Sequence, residues 1–221
     1  MRKPMLPQTT AAPEIAIQTQ RLADELRRVV HQLALTRPSA PELAAAADAA
    51  SSFADRLEAL PVRRTPGVVS EAALSPGKYA GYSPVHGEAN VLAPPLRLRV
   101  VGAGHERRVE GSVTFGPAYE GPPGHVHGGY VAAAFDELLG WAQLQPGFTG
   151  TLTVRYRRPT PLGRELRLEA ALERVEGRKR WVRGTLHLGD VLLCEAEGLF
   201  IGPRGGDYAA ALGLAGDGGP G

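Results

Sequence analysis

The segment Gly121-Pro122-Pro123-Gly124-His125-Val126-His127-Gly128-Gly129 runs straight into an apolar, alanine-rich stretch with one carboxylate, Asp136, in its middle. The stretch from His127 to Gln143 reads as a helix. Glycines at its start leave backbone N–H groups uncovered where the helix dipole favours negative charge. With no side chain in the way, such donors suit the oxygen of an acyl carbonyl as charge builds on it. The loop has no Lys-Ser/Thr ending, so it is not a P-loop. Standing alone, it is as readily a structural turn. Asp136 changes the balance, because a bare carboxylate beside Phe135 and small apolar residues is expensive to bury. It is either structurally paired or it works, activating water or attacking directly at an electrophilic carbonyl. Glu137, about 100° further round the helix, is expected to be the more solvated of the two.

Gly128 and Asp136 are eight residues apart, roughly 12 Å along a helix, and the aspartate leans back over only part of that gap. One helix cannot easily bring both to one carbonyl carbon. Two antiparallel helices related by a two-fold axis can, with Gly128 of one copy facing Asp136 of the other. His125 and His127 form a His-x-His pair, but His86 and His105 are far away in sequence and no third ligand is evident, so no metal is expected. His127 instead orients the loop or hydrogen-bonds the reacting group. Thr149 opens the strand after the helix, where its hydroxyl either positions water or serves only the strand.

The elements around these residues follow from periodicity. Residues 1 to 13 are expected to lack structure. Glu14 to Leu35 carries a helical stripe of Leu22, Leu26, Val29, Val30 and Leu33, stopped by Arg37-Pro38. Ser39 with Glu42 has the capping-box spacing for a second helix reaching Leu60. The pair reads as a helical hairpin over 1–60. A Pro/Gly-rich linker fills 61–82, and Ser83-Pro84-Val85-His86-Gly87 is expected to open the first strand. Strand texture continues at Leu96–Val100 and Val109–Phe115. After the helix come Gly150–Arg157, Glu165–Val175, Arg178–Leu188 and Asp190–Ile201. A glycine-rich tail, 203–221, is expected to be disordered. This is an α+β plan: an antiparallel sheet wrapped round one largely enclosed helix.

Bulk properties narrow the setting. The 221 residues carry a net charge of +2 and a single cysteine, Cys194, in an apolar run. No internal disulfide or thiolate cage is possible. No apolar run reaches the roughly 18 residues of a membrane span, and Met1 to Gln20 lacks a secretory h-region. A cytoplasmic protein is expected, with no membrane or nucleic-acid partner. Basic residues crowd Arg155 to Arg183, which suits a compact polyanionic small molecule.

The residues His127-Gly128-Gly129, then Asp136-Glu137, then Thr149-Gly150-Thr151-Leu152-Thr153-Val154-Arg155-Tyr156-Arg157-Arg158-Pro159 together resemble the hotdog-fold acyl-CoA thioesterases of the PaaI-like branch. The resemblance covers about residues 83–202, which read as the hotdog domain. It implies hydrolysis of acyl-CoA to acid and CoA by dimers or dimers of dimers, without cofactor or metal. It places Gly128 as oxyanion donor and Asp136 as base or nucleophile, with His127 in the loop and Thr149 as the hydroxyl on the next strand. Gly129 lies beside the substrate, and Arg157, Arg158, Arg178 and Lys179 are the candidates for the CoA phosphates. Some relatives have an asparagine shortly before the loop, where this chain has Tyr119-Glu120-Gly121. Phe135, Leu139 and Trp141 line either an acyl tunnel or the core. Two alternatives stand beside hydrolysis: a hotdog enoyl-CoA hydratase or dehydratase, and a non-catalytic acyl-CoA binder.

Overall fold

Alternating apolar residues build the sheet, and the glycines in it decide where the helix sits. The computed structural model describes residues 11–61, 80–103, 107–143, 145 and 147–206. Strands β1 (Arg97–Val101), β2 (Arg108–Thr114), β3 (Phe148–Tyr156), β4 (Glu165–Glu176), β5 (Lys179–Leu188) and β6 (Val191–Ile201) form one antiparallel sheet. Their spatial order is β1-β2-β4-β5-β6-β3. Three helices accompany it: α1 (Ala11–Leu35), α2 (Ala40–Glu58) and α3 (Gly128–Ala142).

Helix α3 lies on one face of the sheet, touching β2, β3, β4, β5 and β6. Val131, Ala134, Phe135, Leu138, Leu139 and Ala142 form its buried side. They meet Val109, Val113, Leu166, Leu168, Val182, Leu186 and Phe200 in a single core, each large side chain contributing about 1.5–3 kcal/mol by leaving water. Leu139 comes closest because Gly184 and Gly198 have no side chain there. A Cβ on either would stand 3.0 Å from a Leu139 methyl. The other side of α3, with Gly129, Ala132, Ala133, Asp136 and Gly140, is half-buried to exposed in the single chain. The helix is therefore wrapped on one side only, where fuller enclosure was expected.

The strand boundaries match the sequence reading to within two residues. Ser83–Gly87 is a turn rather than a strand. The Ser83 hydroxyl accepts from the Val85 N–H at 3.2 Å, and the Gly87 N–H returns to the Ser83 carbonyl at 2.9 Å. A serine offering its own side chain as acceptor favours such a turn over a ladder.

The two N-terminal helices form where expected, although α1 begins at Ala11 rather than Glu14. Ser39 and Glu42 make the capping contact, the Ser39 N–H donating to the carboxylate at 2.7 Å. As a packed hairpin the pair is not realised. Helix α1 rests on the short turn Pro117–Tyr119, while α2 has no buried residue and no extensive contact with another described element. The expected unstructured residues 1–10, most of the linker 61–82 and the tail beyond residue 206 lie outside the described residues.

Candidate active site at the start of the central helix

The sequence reading placed the chemistry on α3 and the strand that follows it, and β3 is tied to α3 at both ends. At one end the Thr149 hydroxyl donates to Asp136 Oδ1 at 2.8 Å. At the other the Tyr156 hydroxyl donates to the Gly128 carbonyl at 2.8 Å. Thr149 reaches the helix because of a bulge. Thr149 pairs with Phe200 and Thr151 with Leu199, leaving Gly150 over. Leu152 and Val154 pack on the core, so strict alternation would aim Thr149 away from the helix. The extra residue reverses that.

His127 caps α3. Its Nδ1 accepts the Gly129 N–H at 3.1 Å, and its carbonyl accepts the Tyr130 N–H at 3.0 Å. With Nδ1 accepting, the ring position left to donate is Nε2. The loop before it is held by its own residues. Glu120 accepts the Gly124 N–H at 2.6 Å, and the Gly121 N–H donates to the His125 carbonyl at 2.9 Å. Among the described residues no acceptor meets the Gly128 N–H. It remains a helix N-terminal donor on a residue with no side chain of its own, with the Tyr156 ring beside it.

Beside Gly128 lies an open cleft of about 370 Å³ whose walls include Pro122, His125, Tyr156, Arg157 and Arg158. Arg157 is paired with Glu195 across the sheet. The other two basic candidates are elsewhere. Arg178 donates to the Gly202 carbonyl at 2.9 Å and borders a second cleft of about 430 Å³ with Gln145, Arg180, Gly202 and Gly205. Lys179 is in register with Ile201 there. The rows Thr149–Phe200–Arg180 and Phe148–Ile201–Lys179 put this second cluster at the Thr149 end of the sheet. Within one chain, then, Arg157 and Arg158 accompany Gly128, and Arg178 lies at the Thr149 end of the sheet, while Lys179, one position from the core-facing Arg180, is exposed on the sheet face away from α3.

Several residues of this region were not singled out from sequence. Tyr156 is one. Arg180 is another: it is 8% exposed, bonded to Gln145 at 2.7 Å, and its Nη1 has no acceptor among the described residues. Glu137, expected to be the more solvated carboxylate, is instead held by Ser83 at 3.2 Å and Trp141 at 3.2 Å, with His86 Nδ1 at 2.9 Å. Phe135 and Leu139 are fully buried core, not tunnel lining. No three His, Cys, Asp or Glu side chains among the described residues gather as metal ligands would.

An uncovered N–H at a helix start, a hydroxyl-bound aspartate on the same helix and two basic clefts suit acyl chemistry on a phosphate-bearing carrier. Comparison with known proteins agrees. A family model described as "Thioesterase superfamily" matches residues 123–195. A crystal structure of a thioesterase superfamily protein is 36% identical, covers 83% of this chain and 94% of its own, and superimposes with a TM-score of 0.73. This chain belongs to the thioesterase superfamily. Its sheet and central helix are the α+β hotdog fold. The structural match is wider than the 120 residues from 83 to 202 and so takes in part of the N-terminal helices. Among named thioesterase superfamily relatives, "Acyl-coenzyme A thioesterase THEM4" of Xenopus laevis is 37% identical over 101 residues, 43% of this chain and 46% of that protein. The Mus musculus protein of the same name is 34% identical over 100 residues, 43% of this chain and 44% of its own length. The chain thus spans less than half the length of these two relatives.

Proposed function

We propose that the protein hydrolyses acyl-CoA thioesters to free acid and CoA in sites shared between two copies, as PaaI-like hotdog enzymes would. The Gly128 N–H of one copy holds the thioester oxygen, and Asp136 of the other, steadied by Thr149, faces the carbonyl carbon. Asp136 takes a proton from water as the water oxygen bonds to that carbon. The carbon–sulfur bond then breaks, and the CoA thiolate takes the proton back from Asp136. His127 Nε2–H and the Gly129 face of the first turn border the same carbonyl.

The carrying observation is the 2.8 Å bond from Thr149 to Asp136 on the open side of α3, lined otherwise by Gly129, Ala132, Ala133 and Gly140. Thr149 occupies one carboxylate oxygen and leaves the other for water. The small residues leave room for a second helix or an acyl group against the first. In an antiparallel pair, the Gly128 end with Arg157 and Arg158 meets the Asp136 end of the second copy with Arg178 and Arg180. The two basic sets converge where CoA phosphates need them. A single buried cysteine is in keeping with a reducing, cytoplasmic setting.

Release of free thiol from a panel of acyl-CoA substrates tests this reading. Asp136→Asn keeps the shape and the Thr149 contact but lacks the base, and should lower kcat by about 10²–10⁴-fold. Turnover near wild type in that variant, or CoA binding with no turnover in the wild type, would rule the mechanism out.

A further inference from the structure

Helix α3 carries two polar attachments on either flank of its open side. Thr149 to Asp136 is one. The other is at the next residue, Glu137, about 100° round the axis. The Ser83 hydroxyl and the Trp141 N–H each reach the Glu137 carboxylate at 3.2 Å. His86 Nδ1 stands 2.9 Å from the same carboxylate. The His86 side chain is 10% exposed, and its ring meets Trp141 edge-on at 5.4 Å. Burial alone raises the Glu137 carboxyl, but His86, Ser83 and Trp141 outweigh it and hold the group below the usual carboxylate range.

Ser83 and His86 belong to a turn that is itself clamped. Arg27 of α1, with its side chain 12% exposed, donates to the carbonyls of Gly87 at 3.3 Å, Glu88 at 2.9 Å, Asn90 at 2.8 Å and Ala93 at 3.1 Å. Gly87 allows this tight winding, since a Cβ there would stand 2.5 Å from the Ser83 carbonyl. A continuous path therefore runs from α1 through the carbonyls of 87–93 to Ser83 and His86, and from them to Glu137. Apart from Glu137 and Trp141, every residue on it lies before the segment that the family model matches.

We infer that α1 and the 83–93 turn form a brace that fixes the rotation of α3 through Glu137, making His86, Glu137 and Arg27 positioning residues for Asp136. The inference rests on the proposed role of Asp136. The open side of α3 carries only small residues beside Asp136, so among the described residues a roll in that direction is resisted by the packing of the buried side around Leu139, by the Tyr156–Gly128 bond at the first turn and, at the level of Asp136 itself, by the two flank attachments. Side-chain tips ride about 5–6 Å from a helix axis, so a 10° roll moves the Asp136 carboxylate by about 1 Å. Misplacement of that size can cost on the order of 10²-fold in rate. A buried ionic cluster is weak as plain cement, because apolar packing would hold as well. Directional contacts on one flank set an angle, which apolar packing does less sharply.

The full chain carrying His86→Ala, His86→Asn or Arg27→Ala, with Asp136→Asn as benchmark, tests the brace by kinetics and by amide exchange over Gly128–Ala142. In His86→Ala, kcat for an acyl-CoA should fall about tenfold or more at unchanged KM, with the same folded fraction by circular dichroism. His86→Asn, which keeps a donor near Glu137, should recover most of that loss. Exchange in α3 should quicken in both His86→Ala and Arg27→Ala. Unchanged exchange, unchanged kcat, or a loss of kcat that merely follows a loss of folded protein overturns the proposal. Exchange is read without substrate, so a wild type that released no thiol would sink the hydrolase reading while the exchange arm still decides the brace.

Discussion

At the scale of single residues, Asp136 and Glu137 are neighbours with different surroundings, and each makes a measurable difference. Thr149→Val removes the hydroxyl that bonds Asp136 at 2.8 Å. A hydrogen bond to a charged group contributes about 1.5–3 kcal/mol, so kcat should drop roughly 10- to 100-fold, while Thr149→Ser retains activity; steady-state kinetics of the pair checks this. Glu137 has its carboxyl held low in the fold. Its contribution to stability is therefore present above the ordinary carboxylate value of about 4.3 and is lost as pH falls through the lower folded value. Thermal melts between about pH 3 and 6 should show a steeper acid-side loss for wild type than for His86→Ala. The residues legible in sequence were those placed by local signals, Gly128 at a helix start and Asp136 among small and apolar residues, whereas His127, read as the first helical residue and expected to orient the loop, is the helix cap. The partnership of Thr149 with Asp136 was not legible. It depends on the bulge at Gly150, and one displaced residue in a strand leaves no periodic trace.

At the scale of elements, the strands could be read from alternation and the helices from their stripes and caps, because both signals lie within one segment. How elements meet depends on residues with no signal of their own. Gly184 and Gly198 look like weak points in β5 and β6, yet they form the recess that receives Leu139. Gly198→Val would drive its branches into Phe200 and Leu139, whose atoms already stand 2.8 Å and 3.0 Å from a bare Cβ. The expected cost is about 1–3 kcal/mol by urea unfolding, with no contact to the candidate site. The disposition of α1 and α2 was illegible for the opposite reason. Both stripes are strong, but Ala23 and Arg27 face the body of the protein, and of the α1 stripe only Leu22 and Leu26 are half-buried while Val29, Val30 and Leu33 are exposed. A carbonyl cage that recruits an arginine has no hydrophobic period.

At the scale of the whole molecule, the proposed shared site rests on the distance between Gly128 and Asp136 along one helix, and complementation tests it. Gly128 is the first helical residue, and the extended His127 before it, with φ −61° and ψ 130°, accepts a following proline. Gly128→Pro therefore deletes the donor N–H with little disturbance. Gly128→Pro and Asp136→Asn should each be inactive, yet mixing them should restore roughly a quarter of wild-type activity, since half the pairs are mixed and each mixed pair holds one intact site. Thiol release after mixing under mild denaturation and refolding checks it. No recovery would place both groups of a site in one chain.

Under the proposed function, the buried position of Cys194 has a chemical consequence. The side chain is fully enclosed, burial raises its thiol above the ordinary value, and the chain has no other cysteine. An exposed thiolate in the same molecule would exchange with every acyl-CoA it met and accumulate acyl groups on itself. Here transthioesterification has no entry point, so intact mass after prolonged incubation with acyl-CoA should show no adduct on sulfur.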